Sequence, residues 1–200
     1  MKLSLNKKLQ QLRYFARTGL KGFRAPTHAT IDELNALYDA AQNIPKSEGL
    51  LEIGSHYGAT MICFGAATEK NKNALFAVDT WQNETMPEGK KDTFEKFKKN
   101  VHHLSSRLTI LRMNSMNLRR STISQKIGLI FIDGNHSYKY FSKDLDFALT
   151  KINQKGTIIC HDFCMEHQGV TTKIAEQILK EKIRIDKCVH HLLFLKVKKK

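Results

Sequence analysis

Short apolar segments alternate with amphipathic segments along most of the chain, and the two patterns predict buried strands and helices respectively. The predicted strands are Leu50–Ile53, Ala74–Val78, Leu108–Leu111, Ile127–Ile132, Thr157–Cys160, Ile183–Val189 and His191–Val197. The helices predicted between them are Thr30 to the residue before Pro45, Ala59–Thr68, Asp92–Leu104, Lys139–Ile152 and Val170–Lys182. This alternation predicts an α/β fold, with a doubly wound, mostly parallel seven-stranded sheet and helices on both faces.

The chain is predicted to divide at Pro26. Residues 1–25 form a basic extension, and residues 26–200 form a single domain of a size that suits one core. The apolar residues of the extension, at imperfect helical spacing, are Leu3, Leu5, Leu9, Leu12 and Phe15. The first helix of the domain is predicted to begin at a capping box formed by Thr30 and Glu33.

The charge of the chain is large and unevenly placed. The formal net charge is +14, and no acidic residue precedes Asp32. A segment of this kind predicts contact with an anionic membrane or a phosphorylated acceptor, the alternative being a solvated basic surface. The sequence contains no apolar run long enough to span a bilayer and no export signal, and its four cysteines lack metal-ligand spacing. We therefore expect a cytoplasmic protein that can reach the inner face of the membrane.

Polar residues follow five of the predicted strands, at the edge of the sheet where ligands of such folds bind. They are the turn Gly54–Gly58, Asp79, Asn114 with Ser115, the run Asp133–Tyr138, and His161 with Asp162. Gly54 and Gly58 permit a tight turn and a close approach of backbone to ligand. Because His56 stands at the second position of the dinucleotide-binding glycine pattern, a nicotinamide-dependent oxidoreductase is disfavoured.

Each of these side chains also has a less specific interpretation. Asp79 can accept hydrogen bonds from ribose hydroxyls, or it can cap a turn. Trp81 can cover an adenine ring or belong to the core. Asp133 and Asp162, predicted to share one rim, can bind a divalent cation or act in acid–base chemistry.

Four segments resemble class I S-adenosylmethionine-dependent methyltransferases. They are Leu50–Thr60, Val78–Trp81, Phe131–Tyr138 and His161–Phe163. They resemble in particular the small bacterial O-methyltransferases that act on sugars and natural products, and the glycine turn is similar to that of catechol O-methyltransferase. The resemblance, which spans about residues 30–197, implies a Rossmann-like fold, S-adenosylmethionine as cofactor and O-methylation of a small-molecule or glycan acceptor.

The resemblance also implies roles for individual residues. The residues implied to bind the cofactor are Glu52, Gly54, Ser55 and Gly58 for its methionine part, Asp79 for its ribose, Trp81 and Ser115 for its adenine, and Asp133. In metal-dependent relatives, acids at the positions of Asp133 and Asp162 bind magnesium, and an asparagine follows the second acid. Phe163 stands at that place here, so His161 or Asn135 would have to complete a magnesium site.

The residue three beyond the acid that ends strand four is the base of the catechol enzymes, and here it is His136. Histidine titrates near neutral pH and suits this role, the alternative being that it caps the helix beginning near Tyr138. The predicted reaction places the acceptor hydroxyl between the cofactor's methyl group and His136. A cation at Asp133 and Asp162 would orient the oxygen, which makes Asp133 the second predicted catalytic residue.

Two further functions stay open. The charge suggests a nucleic-acid methyltransferase, although the chain lacks an N-P-P-Tyr-type signature and an aromatic–basic binding module, so nucleic acid is disfavoured as a partner. The other is a binding module that keeps the fold without catalysis, which the polar run from Asp133 to His136 disfavours. Fold alone does not decide between them.

Overall fold

A computed structural model of the protein describes residues 2–83 and 89–198. The helices are α1 (Lys2–Thr18), α2 (Ile31–Ala41), α3 (Ala59–Ala67), α4 (Phe94–Val101), α5 (Tyr138–Lys151) and α6 (Gln168–Leu179). The strands are β1 (Gly49–Ile53), β2 (Leu75–Asp79), β3 (Leu108–Arg112), β4 (Ile127–Ile132), β5 (Ile152–Cys160), β6 (Ile183–Val189) and β7 (Leu192–Val197). Short 3₁₀ helices are formed by Gly19–Phe23, His102–Leu104, Ser115–Asn117 and Arg120–Thr122.

The strands form one seven-stranded sheet in the order β3-β2-β1-β4-β5-β7-β6. The first five strands pair in parallel, and β7 inserts antiparallel between β5 and β6. The predicted doubly wound, mostly parallel sheet is therefore confirmed. The strand order reverses between β1 and β4, and in open α/β sheets ligands bind beyond the carboxyl ends of the strands at such a switch point.

Helices cover both faces of the sheet because the central strands are apolar on both sides. Successive side chains of a strand point to opposite faces. Leu50 of β1 and Phe131 of β4 join the core beneath α2 and α3, whereas Leu51 and Ile130 join the core beneath α5 and α6. Among the described residues, no helix combines the length and the apolar character that crossing a bilayer requires.

The predicted basic extension forms α1 and a 3₁₀ helix that pack against α2 and α3. Tyr14 is fully buried in the core that these helices share. The guanidinium of Arg17 lies 2.5 Å from Asp39 and donates a hydrogen bond to the side chain of Asn35 at 3.1 Å. The division at Pro26 stays a prediction about how the chain folds.

The sequence pattern predicted the start of α2 correctly but did not predict the first half of β5. The capping box is confirmed, since the Thr30 hydroxyl accepts the Glu33 amide at 3.2 Å and the Glu33 carboxylate accepts the Thr30 amide at 2.8 Å. Strand β5 begins at Ile152, where the sequence predicted the end of a helix. Ile152 pairs with Ile127 of β4, and an irregularity of register separates this pair from the next one at Thr157. The residues just after Ile152 are polar and partly or fully exposed, so a search for apolar runs does not detect them.

Candidate active site

A cleft of about 550 Å³ lies at the carboxyl ends of the central strands. Its volume is within the range of small-molecule and cofactor sites. The predicted site residues that line it are Gly54, Ser55, Gly58, Asp79, Ser115, Asp133, His136, His161 and Asp162. Residues predicted from five separate strand ends are thus brought together around one space, while Glu52 and Trp81 lie outside its lining.

The turn after β1 depends on two glycines. Gly54 and Gly58 have φ angles of +88° and +87°, a conformation that other residues rarely adopt. A side chain at Gly54 would also collide with the backbone carbonyl of Asp133. The turn therefore presents bare backbone to the cleft at the start of α3, the arrangement that lets a ligand approach closely.

Glu52 lies beneath this turn and is fully buried. It accepts hydrogen bonds from the hydroxyls of Ser55, at 2.7 Å, and Thr60. Burial raises the pKa of Glu52 to about 8, an effect that the two hydroxyls reduce and that the charges of Asp133 and Asp79 reinforce. Glu52 thus fixes side chains of the turn from outside the lining of the cleft, and its implied contact with the methionine part stays a prediction.

Asp79, at the end of β2, lines the cleft and also organises the glycine turn. One carboxylate oxygen accepts the amides of Ser55 and His56 at 2.8 and 2.9 Å, and the other accepts the amide of Trp81 at 2.7 Å. A carboxylate has about four acceptor positions, so these three bonds leave room for a ligand hydroxyl. The two interpretations of Asp79, turn and ligand, are therefore compatible.

Trp81 belongs to the core. Its ring is 1% exposed and packs against Phe97 and Phe94, with centroid distances of 4.6 and 5.1 Å. The implied contact with adenine is therefore corrected, because the indole faces α4 and leaves the cleft. On that side of the cleft the lining side chains are Met113, Asn114 and Ser115.

His161 is surrounded by three carboxylates. Its Nδ1 lies 3.2 Å from Asp133 and 3.1 Å from Asp162, and its Nε2 lies 3.5 Å from Glu33. Burial alone would lower the pKa of His161, but its contacts with the three acids raise it to about 12. Conversely, although burial opposes ionisation of Glu33, its hydrogen bonds with His161, Thr30 and His191 lower its pKa to about 2.

This arrangement does not fit a magnesium ion held by Asp133, Asp162 and His161. The ligand atoms of the three residues lie within 4.8 Å of one another, which is close enough for shared coordination. However, both ring nitrogens of His161 face carboxylates, and these contacts favour the protonated ring, which offers no lone pair to a metal. The imidazolium already supplies the positive charge between Asp133 and Asp162. The metal site stays a prediction.

His136 and Asp162 form a close pair at the rim of the cleft. His136 Nε2 lies 2.9 Å from Asp162 Oδ2, and Asp162 adopts a φ of +55°. Together with the contact to His161, this neighbour holds the pKa of Asp162 well below its usual range, against the effect of burial. The N-cap of α5 is Ser137. His136 Nε2 is therefore in close contact with Asp162, although the geometry of this contact is not that of a hydrogen bond.

The sequence missed several residues that line the cleft. They are chiefly His28, Glu33, Tyr140, His167 and His191. The ring of His167 lies 4.2 Å from that of His136. Glu33 was predicted only as a capping residue, yet its second oxygen accepts the amide of His191 at 3.0 Å. No local signal could have found these residues, since they enter the cleft through contacts between distant parts of the chain.

Comparison with known proteins identifies the family to which the chain belongs. Residues 51–163 match the model of a methyltransferase domain family. One curated relative, the uncharacterized protein y4gI of Sinorhizobium fredii, is 26% identical over 135 residues. The match covers 60% of this chain and only 14% of the relative, so the chain spans a small part of that protein's length.

Solved methyltransferase structures share the fold at low sequence identity. The O-methyltransferase NovP is 13% identical with a TM-score of 0.73, and the match covers 98% of this chain and 99% of NovP. The SAH-bound methyltransferase PaMTH1 of Podospora anserina is 13% identical with a TM-score of 0.68, covering 93% and 88%. CalS11, a TDP-rhamnose 3'-O-methyltransferase of calicheamicin biosynthesis, is 13% identical with a TM-score of 0.60, covering 82% and 76%.

Proposed function

This chain belongs to the methyltransferase domain family, and from that premise we propose that it is an S-adenosylmethionine-dependent methyltransferase of class I that methylates a hydroxyl oxygen of a small acceptor. The acceptor we favour is a sugar, a polysaccharide precursor or a small natural product. The observation that carries the proposal is the pair of His136 and Asp162, 2.9 Å apart, in the cleft that the glycine turn and Asp79 also line.

The residues of the cleft fit the cofactor. Gly54, which has no room for a side chain, and Gly58 leave backbone accessible at the start of α3, where we place the methionine part beside Ser55. Asp79 keeps acceptor capacity for the ribose hydroxyls, and Ser115 lines the side that we assign to adenine. When bound, S-adenosylmethionine supplies a methyl group on a positively charged sulfur.

His136 is proposed to remove the proton of the acceptor hydroxyl. Its Nε2 faces Asp162, so we place the ring proton on Nε2 and leave the lone pair of Nδ1 to accept the hydroxyl proton. Asp162 then stabilises the imidazolium that forms and keeps the ring in this tautomer, as carboxylates do for catalytic histidines elsewhere. Asp133, held by His161 on the same rim, is proposed to orient the acceptor.

An oriented base favours oxygen over nitrogen as the methylated atom. A hydroxyl is a poor nucleophile until its proton leaves, and general base catalysis contributes about 10²–10⁴-fold to such steps. A neutral amine already offers its lone pair and gains less from a base. Two proteins of similar fold support oxygen as the methylated atom, since NovP is an O-methyltransferase and CalS11 is a TDP-rhamnose 3'-O-methyltransferase, which in the second case also supports a sugar.

We expect turnover to survive the removal of divalent metals. No step of the proposed reaction passes through a metal, because the imidazolium of His161 lies between the two acids that would bind it. Activity measured after dialysis against EDTA, and again after adding back magnesium, should differ by less than about twofold, far below the effects typical of metal catalysis. Loss of activity on chelation with recovery on magnesium would restore the metal prediction for Asp133 and Asp162.

The function itself is tested by binding and by transfer. We expect titration calorimetry to detect S-adenosylmethionine binding and no comparable binding of NAD. With methyl-labelled cofactor, label should move to sugar nucleotides or phenolic acceptors and be stable to treatments that cleave methyl esters. Binding without transfer to any acceptor would favour a non-catalytic module, and transfer to RNA or DNA would favour the nucleic-acid alternative.

A further inference from the structure

Helix α1 carries an exposed apolar stripe. Leu5, Leu9 and Leu12 are 62%, 55% and 64% exposed, and Phe15 is 46% exposed. At 3.6 residues per turn, the three leucines share one face of the helix, directly opposite Tyr14. Because Tyr14 is fully buried against the domain, the stripe points outward. Apolar side chains at this spacing normally face a core or a partner.

The stripe continues into the following 3₁₀ helix. Leu20 and Phe23 are 77% and 49% exposed, and the ring of Phe23 lies 6.5 Å from that of Phe15. Of the ten large apolar side chains that are exposed in the described residues, six lie between Leu5 and Phe23. An exposed apolar surface concentrated in this way marks an interaction site.

Exposed basic residues flank the stripe. Lys8, Lys21 and Arg24 are exposed near it, and no acidic residue occurs in the sequence before Asp32. A second copy of this chain is a poor occupant, because its basic residues would face those of the first across an apolar contact. Nucleic acid would satisfy the charges but would leave the leucines in water.

We propose that the exposed face of α1 and the adjoining 3₁₀ helix bind an anionic lipid surface. Leucine and phenylalanine side chains enter the boundary between headgroups and acyl chains, while the basic side chains contact anionic headgroups, as in other interfacial helices. The same segment continues into Pro26, Thr27 and His28, which line the active cleft. A docked α1 therefore brings the cleft close to the membrane surface, whatever the acceptor is.

The helix is held well enough for its outer face to be altered alone. Tyr14 is buried, Thr18 donates a hydrogen bond to the Tyr14 carbonyl at 2.8 Å, and Arg13 and Arg17 both contact Asp39. None of these residues belongs to the stripe or to the exposed basic set. Substitutions in the stripe should therefore leave the melting temperature of the protein unchanged.

Flotation of the full chain with vesicles tests the proposal. We expect binding to vesicles of phosphatidylcholine with phosphatidylserine, and at least about tenfold weaker binding to phosphatidylcholine alone. The variants Leu9→Gln/Leu12→Gln and Lys8→Glu/Lys21→Glu/Arg24→Glu should each reduce binding to the anionic vesicles by at least about tenfold. The control is Met165→Gln/Leu179→Gln, which removes side chains that are 85% and 82% exposed elsewhere, and it should bind as the unaltered protein does.

Three outcomes would overturn the proposal. Unchanged flotation of either α1 variant would show that this face does not contact lipid. Equal binding to both vesicle types would remove the role of anionic headgroups. Sedimentation showing a dimer that Leu9→Gln/Leu12→Gln dissociates, together with no flotation, would assign the stripe to a second copy instead.

Discussion

His136→Asn is expected to lower turnover at least ~100-fold while leaving the affinity for S-adenosylmethionine nearly unchanged. Asparagine can still reach toward Asp162, but it cannot accept the proton that the acceptor hydroxyl must lose. The effect should therefore fall on kcat and be absent from cofactor binding, which we assign to the glycine turn and Asp79. Steady-state kinetics with a competent acceptor and calorimetry with the cofactor measure the two quantities separately.

The matched control for this variant is His102→Asn. His102 is exposed beyond the end of α4 and lies outside the cleft lining, and its Nδ1 lies 3.2 Å from the backbone carbonyl of Lys99, so turnover should be retained. Near-normal turnover of His136→Asn would move the base to another residue. His161 could not replace it, since both of its ring nitrogens face acids, and His167 would be the next residue to test.

Asp79→Ala is expected to weaken S-adenosylmethionine binding about 10- to 100-fold. Loss of a hydrogen bond to a charged group costs about 1.5–3 kcal/mol, and each 1.4 kcal/mol is a factor of ten in affinity. The carboxylate also holds the amides of Ser55, His56 and Trp81, so alanine removes support for the glycine turn as well as a ligand contact. Both losses act in the same direction on affinity, which calorimetry measures.

A second substitution separates the two roles of Asp79. Asp79→Asn keeps one acceptor oxygen for the turn but replaces the other oxygen by an amide group, which would face a backbone or ligand donor. We therefore expect this variant to bind S-adenosylmethionine more tightly than Asp79→Ala and more weakly than the unaltered protein. Asp186→Ala, an exposed acid on β6, is the control and should bind normally. If a folded Asp79→Ala protein bound the cofactor with unchanged affinity, the assignment of the ribose would be wrong.

The glycine turn and the capping box of α2 were predictable because their signals are local. Gly54 and Gly58 adopt backbone angles that only their own residue type favours, and Thr30 and Glu33 satisfy each other's amides within one helical turn. The strands were predictable for a related reason, since a parallel sheet covered on both faces requires continuous apolar runs.

The environment of each histidine and acid could not be predicted in this way. Glu33 begins a helix near one end of the chain, whereas His161 follows β5, and only the folded sheet brings them to 3.5 Å. Contacts with Asp133, Asp162 and Glu33 together raise the pKa of His161 against the effect of burial, although the sequence alone allowed it to be a metal ligand. The pKa of a side chain depends on burial and on neighbouring charges, which sequence separation does not reveal.

The sequence by itself thus determined the order of strands and helices, the turn at which the cofactor binds in the proposed function, and the residues at the strand ends. The tertiary structure alone decided that Trp81 is core, that His136 pairs with Asp162, and that the leucines of α1 face outward. The physical reason is the distance along the chain over which each property is determined. Backbone conformation and periodic burial are set by near neighbours in the chain, whereas the direction and charge of a side chain are set by whatever the fold packs against it.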